Sequence, residues 1–270
     1  MVIGVNHILE CVDVSASPNQ TDIETLIRQQ HTNPMKSDHT EIRSLSHLII
    51  DVDTSLERLY GGFYNDWLAG GEWAHLQNYM ESLLKTCQAL SLCLIFCFDG
   101  SLYRSGQSQW YDEQTQQRKK VNLIFKHLKQ NKSGSPRRSL WLCPAGFQLC
   151  LRLILRQLNS SHFLIHQTCG YGHGEHQRQL KSLAIQYRST LLGIVSSDIE
   201  FLLPTQYADQ IVILPFFSSK YFKLSLKGKL TLVEIRLQQL KERFSLNDNQ
   251  FSLLLTLSGN SYLTNREIYD

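Results

Sequence analysis

Residues 47–51 read His-Leu-Ile-Ile-Asp (HLIID), a short apolar run closed by a carboxylate. An apolar run of this length suits a strand buried on both faces, as in a parallel sheet covered by helices. The same design returns at Leu92–Phe98 (LCLIFCF), which Asp99 closes. A helix-like stretch runs from Asp51 to Tyr64 and another from Trp73 to Leu90. Further along, a strand is predicted at Ser139–Cys143, a helix at Phe147–Leu158, and β-like runs at His162–His166, Leu192–Val195 and Gln210–Leu214. Strands that alternate with helices predict an α/β fold with a central, mostly parallel sheet flanked by helices. The alternation within Tyr221–Ile235 around Lys227-Gly228 predicts a hairpin, followed by helices at Val233–Phe244 and Asn249–Leu257. A single domain over 1–270 is expected, since no linker or repeat interrupts the pattern.

The chain has 270 residues, 42% of them apolar and 19% charged, with 6 Pro and 15 Gly. These values suit a folded globular chain and exclude collagen-like and disordered classes. The longest apolar stretch, Ala89–Phe98, contains Ser91 and is far shorter than the roughly 20 residues of a membrane-crossing helix. The first twelve residues carry no Lys or Arg ahead of an apolar core, unlike a secretory leader. An intracellular protein of the nucleus and/or cytoplasm, without a membrane partner, is therefore expected. Seven cysteines are scattered without a CxxC pair, which favours buried thiols over a disulfide or zinc framework. Cys93 and Cys97 share one strand face as core atoms.

Net charge is +3, but it is unevenly spread. Arg118, Lys119, Lys120, Lys126, Lys129, Lys132, Arg137 and Arg138 form a run of eight cations with no acid among them. The remainder of the chain is net negative, so this segment is a candidate polyanion site. Val121, Ile124, Phe125 and Leu128 recur at helical spacing and predict an inner face, with Lys119 and Lys126 facing solvent. Asn131–Pro136 (NKSGSP) breaks the helix. Trp110 and Tyr111 precede the run as candidate base-stacking residues or as core aromatics.

In an open parallel sheet, ligands bind beyond the carboxyl ends of the strands. Asp51 and Asp99 end strands, Asp198 follows Leu192–Val195, and Glu175 opens a helix after Gly172-His173-Gly174. Each alone also suits a helix N-cap; together, uncompensated carboxylates repel one another and favour a bound Mg²⁺ or Mn²⁺. Asp53 reads better as a cap for the helix beginning near Ser55 than as a further ligand. His173 and His176 flank Glu175, yet no third His or Cys stands at ligand spacing, so both are expected to face solvent.

Arg58-Leu59-Tyr60-Gly61-Gly62-Phe63-Tyr64, Asp66-Trp67, Gly70-Gly71, Trp73, His75 and Tyr79, with IIDVD before them and FCFDG, GE and SGN after, resemble the constitutive coactivator of PPAR-gamma family. That family lies within the PIN-like, XPG/flap-endonuclease superfamily. The resemblance implies a PIN-like fold with an XPG N-terminal-like part over about 1–130 and an internal part over about 140–262. It also implies an acidic pocket, which in the superfamily's nucleases holds two metal ions on seven carboxylates. Asp51, Asp99, Glu175 and Asp198 match four of those positions. Gln177, Ser196 and Ser261 stand where the GExE, Asp-x-Asp and G-x-D-Y motifs carry the other acids.

One Mg²⁺ or Mn²⁺ at most is thus expected on Asp51, Asp99, Glu175 and Asp198, and two-metal hydrolysis requires both ions. The expected function is that of a degenerate nuclease domain, a pseudonuclease that binds RNA or single-stranded nucleic acid, or that serves as a scaffold or coregulator for protein partners. The alternative is a Mg²⁺/Mn²⁺-dependent structure-specific endonuclease. The nearest approaches to a receptor-docking LxxLL helix, at Met80–Leu84 and Ile199–Leu203, are expected to face the core. The thirteen residues after Leu257 are not expected to form a further DNA-binding module.

Overall fold

The computed structural model describes residues 20–31, 45–59, 73–101, 107–130, 142–169, 173–196, 201, 213–214, 223–224, 230–233, 241–242 and 244–257. Its main sheet is built from β2 (Ser46–Asp51), β3 (Leu92–Phe98), β4 (Phe163–Gln167), β5 (Leu191–Val195) and β6 (Ile213–Leu214). Every neighbouring pair is parallel and the order is β4-β3-β2-β5-β6. The α/β architecture is the one the apolar runs predict. A smaller antiparallel sheet joins β1 (Gln20–Asp22), β7 (Lys223–Leu224) and β8 (Leu230–Val233) in the order β1-β8-β7. The β7–β8 pair is the predicted hairpin.

The helices are α1 (Ile23–His31), α2 (Val52–Leu59), α3 (Trp73–Leu90), α4 (Gln107–Lys129), α5 (Phe147–Leu158), α6 (His173–Gln186) and α7 (Asp248–Leu257). Strand parity decides which of them each side chain meets, because successive residues point to opposite faces. Leu48 and Ile50 of β2, with Leu92, Leu94, Phe96 and Phe98 of β3, join α1, α2, α3 and α5 in one core. Ile49, Cys93, Ile95 and Cys97 face the other way and meet Leu180, Leu183 and Ala184 of α6 and Phe251 of α7. All seven residues of β3 are buried, which is why its sequence shows no polar alternation. Burial pushes the Cys93 thiol up to about 11, as befits core atoms rather than reactive ones.

Several boundaries differ from expectation. Leu142 and Cys143, the described end of the strand predicted at Ser139–Cys143, lie outside any strand; the pairing edge of β3 is taken by β4 instead. Val233, the expected first residue of a helix, is instead the last residue of β8 and pairs with Gln20. The partner strand β1 and helix α1 carry no strong sequence signal. Residues 60–72 and residues 131–136, where a helix break is expected, lie outside the described set. Met80 and Leu83 of the first LxxLL-like segment are buried, as is Phe201 of the second. Among the described residues no helix is long and apolar enough to cross a membrane.

Phe96 is fully buried and meets Phe163 edge-on at 5.4 Å between ring centroids. Phe96→Ala should therefore cost about 3–5 kcal/mol, read as a lower urea midpoint with an unchanged slope; a loss below ~1 kcal/mol would contradict this packing.

Candidate functional site

Four strand ends meet at the carboxyl edge of the main sheet. Asp51 is the last residue of β2, and Asp99, Thr168 and Ser196 directly follow β3, β4 and β5. Asp51 shares the parity of Ile49, and Asp99 that of Cys97, so both carboxylates face the α6 side. On α6, His176 lies four, seven and eight residues before Leu180, Leu183 and Ala184, on the stripe that packs against the sheet. The helix thus inserts an imidazole between the two acids.

His176 is 3% exposed and Asp51 fully buried. Nε2 of His176 lies 3.3 Å from Asp51 Oδ1, and Nδ1 lies 2.8 Å from Asp99 Oδ1. Thr168 Oγ1 stands 3.2 Å from the same Nδ1. The Ser196 hydroxyl donates to Asp51 Oδ2 at 2.6 Å and sits 3.1 Å from Thr54 Oγ1. Asp51 Oδ1 also accepts the Thr54 amide at 3.5 Å, so Asp51 itself caps α2. Asp53, expected in that role, lies in the first turn of α2. Its Oδ2 accepts the Asp99 amide at 3.2 Å and its Oδ1 accepts from Gln148 Nε2 of α5.

Several expectations change here. His176 is buried rather than solvent-facing, because helical spacing places it on the apolar stripe of α6. Glu175, one residue earlier, is turned about 100° away. Its carboxylate accepts from Arg178 and, at 2.6 Å, from Gln179 of its own helix. It does not join the two aspartates, and Asp53 does. Asp198 and Ser261 lie outside the described residues, while Gln177 is buried and uncharged.

A hard divalent ion needs several oxygen lone pairs aimed at one point. Both oxygens of Asp51 and both of Asp53 are instead turned to protein donors, and Asp99 Oδ1 faces His176. Among the described residues no group of three or more His, Cys, Asp or Glu is arranged to hold a metal. The residues present do not fit the single Mg²⁺ or Mn²⁺ expected from the sequence.

The basic run lies partly on α4. Arg118, Lys119, Lys126 and Lys129 are exposed and Lys120 is half-buried; Lys132, Arg137 and Arg138 lie outside the described residues. Of the predicted inner face, Ile124 is buried and Val121 partly so, whereas Phe125 is 58% and Leu128 45% exposed. Ile124 lines up with Glu113, Lys120 and His127, which are partly buried, and this stripe turns Phe125 outward. Tyr111, Arg118, Phe125 and Lys129 recur at i, i+7, i+14 and i+18, and all four are exposed. They form a solvent-facing stripe.

The pocket makes stability depend on pH. Burial, then the charges of Asp99 and Asp51, raise the Asp53 carboxyl to about 7, outweighing the Asp99 amide and His176. For His176, burial works against the charged form, but hydrogen bonds to and charges on Asp51 and Asp99 outweigh it and hold the imidazole at about 10. Both groups are raised on folding, so the native state binds more protons and stability falls as pH rises. Asp53 acts between 3.8 and about 7, and His176 between 6.5 and about 10. The expected result is a urea midpoint that declines from pH 7 to 10 and declines less in His176→Gln; a midpoint that rises over that range would contradict the pairing.

No protein-family model matches the chain. It is 30% identical over 231 residues to constitutive coactivator of PPAR-gamma-like protein 1 of Bos taurus, covering 85% of this chain and 19% of that protein. The corresponding Homo sapiens protein is 30% identical over 222 residues, covering 82% and 18%. Constitutive coactivator of PPAR-gamma-like protein 2 of Homo sapiens is 26% identical over 227 residues, covering 83% and 19%. The chain spans about a fifth of the length of these curated relatives. Among solved structures, the catalytic core of Rad2 in complex with DNA substrate has a TM-score of 0.48 at 14% identity, covering 97% of this chain and 64% of that one. Human GEN1 in complex with Holliday junction DNA has a TM-score of 0.48 at 13% identity, covering 96% and 51%. Over most of its length the chain is thus a homologue of a part of the constitutive coactivator of PPAR-gamma family proteins.

Proposed function

We propose that this domain binds RNA or single-stranded nucleic acid along α4 and does not hydrolyse it. The observation that carries the reading is the exposed stripe of α4, where Tyr111, Arg118, Phe125 and Lys129 lie together with Lys119 and Lys126 nearby. At 1.5 Å per residue the helix is about 34 Å long, long enough to follow several nucleotides. Cations at this spacing meet phosphates without choosing sequence. Exposed aromatic rings beside them offer faces on which unpaired bases stack, which a duplex would withhold.

The absence of hydrolysis is supported by the pocket. In-line phosphodiester cleavage by two ions needs carboxylates free to hold both. Here Ser196 and Gln177 replace two acids, Glu175 faces its own helix, and Asp51 and Asp99 are both turned to His176.

The test is binding of a fluorescent single-stranded RNA with increasing KCl. Four exposed cations on a single strand should give a log–log slope of about −3 and a roughly fifty-fold loss between 50 and 200 mM salt. The triple variant Arg118→Glu, Lys126→Glu, Lys129→Glu should bind about tenfold or more weakly and flatten that slope. Tyr111→Ala with Phe125→Ala should weaken binding by about 1–3 kcal/mol per lost stack while leaving the slope unchanged. A flat salt response, or Mn²⁺-dependent cleavage abolished by Asp99→Asn, would overturn the reading.

A further inference from the structure

The chemistry of the pocket fixes the protons on its central side chain. A hydroxyl has one proton to donate, and that of Thr168 goes to the Phe98 carbonyl at 3.2 Å. Toward His176, Thr168 Oγ1 can only accept, so the facing Nδ1 carries a proton. Nε2 is aligned on Asp51 Oδ1, while Asp51 Oδ2 accepts from Ser196. A carboxylate accepts and does not donate, so Nε2 carries a proton as well. An imidazole protonated on both nitrogens is a cation.

We propose that the side chain of His176 is the resident cation of this pocket, occupying the place a divalent ion would need in order to bridge Asp51 and Asp99, so that the domain folds without metal there and takes none up. Burying Asp51 without a counter-charge would be costly, and the imidazolium supplies that charge from α6. The arrangement also ties α6 to the ends of β2, β3 and β4 through one ring. The titratable groups around His176 are Asp51 and Asp99 in contact, with Asp53 from α2 and His166 from β4 further out. His166 is lowered by burial and then by the charge on His176. The inference stands apart from the binding face on α4, and its readout is metal occupancy rather than oligonucleotide affinity.

The experiment uses the full chain freed of metal by chelation, titrated with Mn²⁺ and followed by electron paramagnetic resonance and by thermal unfolding. The unmodified chain should leave Mn²⁺ in the free, six-line spectrum up to millimolar concentration and show no change in Tm. His176→Glu exchanges the cation for a third carboxylate facing Asp51 and Asp99. It should quench the free Mn²⁺ signal at one equivalent and gain several degrees in Tm with the ion. If His176→Glu does not fold, His176→Gln keeps the bulk without the charge, and its lowered Tm should rise on adding Mn²⁺. Tight Mn²⁺ binding by the unmodified chain, or a folded variant as indifferent to the ion as the unmodified chain, would overturn the proposal.

Discussion

A buried carboxylate at the end of the central strand constrains everything around it. Asp51 closes β2, which pairs with β3 on one side and β5 on the other, and it has no access to water. A charge in that position must be met by donors or by an opposite charge. The surrounding elements supply both. The Thr54 amide comes from α2, the Ser196 hydroxyl from the end of β5, and the His176 ring from α6. Thr168 at the end of β4 and Asp99 at the end of β3 complete the shell from the other side of the ring. A parallel sheet brings its carboxyl ends together by construction, so the location follows from the fold and the chemistry from the residues placed there.

Much of this was legible in the sequence. The run HLIID and the run LCLIFCF closed by Asp99 predict two buried strands, and they prove to be parallel neighbours in register from Ser46–Leu92 to Asp51–Cys97. Their terminal aspartates are the two that meet His176. By itself the sequence places His176 toward solvent, because no third His or Cys stands at ligand spacing. The signal for its burial is the spacing of His176 to Leu180, Leu183 and Ala184, which marks the apolar stripe of α6 and turns Glu175 off it. Asp53 reads as a helix cap for a different reason. Its partners, the Asp99 amide and Gln148, come from distant segments that local pattern cannot bring together. On α4 the spacing of Phe125 and Leu128 looked like a core stripe, yet both rings and methyls face solvent because the helix meets the body along Ile124 and its line. Periodicity reports the existence of a face and not what lies opposite it.

The pocket and the basic helix point to a division of labour within the chain. The sheet edge has been made into a structural joint, with the imidazolium holding α6 to β2 and β3. The long helix α4 offers charge and aromatic surface to solvent, which suits contact with a flexible polyanion. Under the proposed function, binding and structural integrity depend on different residues, so charge changes along α4 leave the joint intact. The contacts of Asp51 and Asp99 with His176 give both acids a structural role at the strand ends.

The charge on His176 is the point on which this account turns. A two-bond ¹H–¹⁵N spectrum of the full chain labelled with ¹⁵N-histidine, recorded at pH 8, measures it directly. At that pH an ordinary histidine is neutral. The account predicts that both ring nitrogens of His176 resonate as protonated N–H, unchanged on lowering the pH. A single protonated nitrogen at pH 8, with a second proton gained near the usual histidine value, would contradict it.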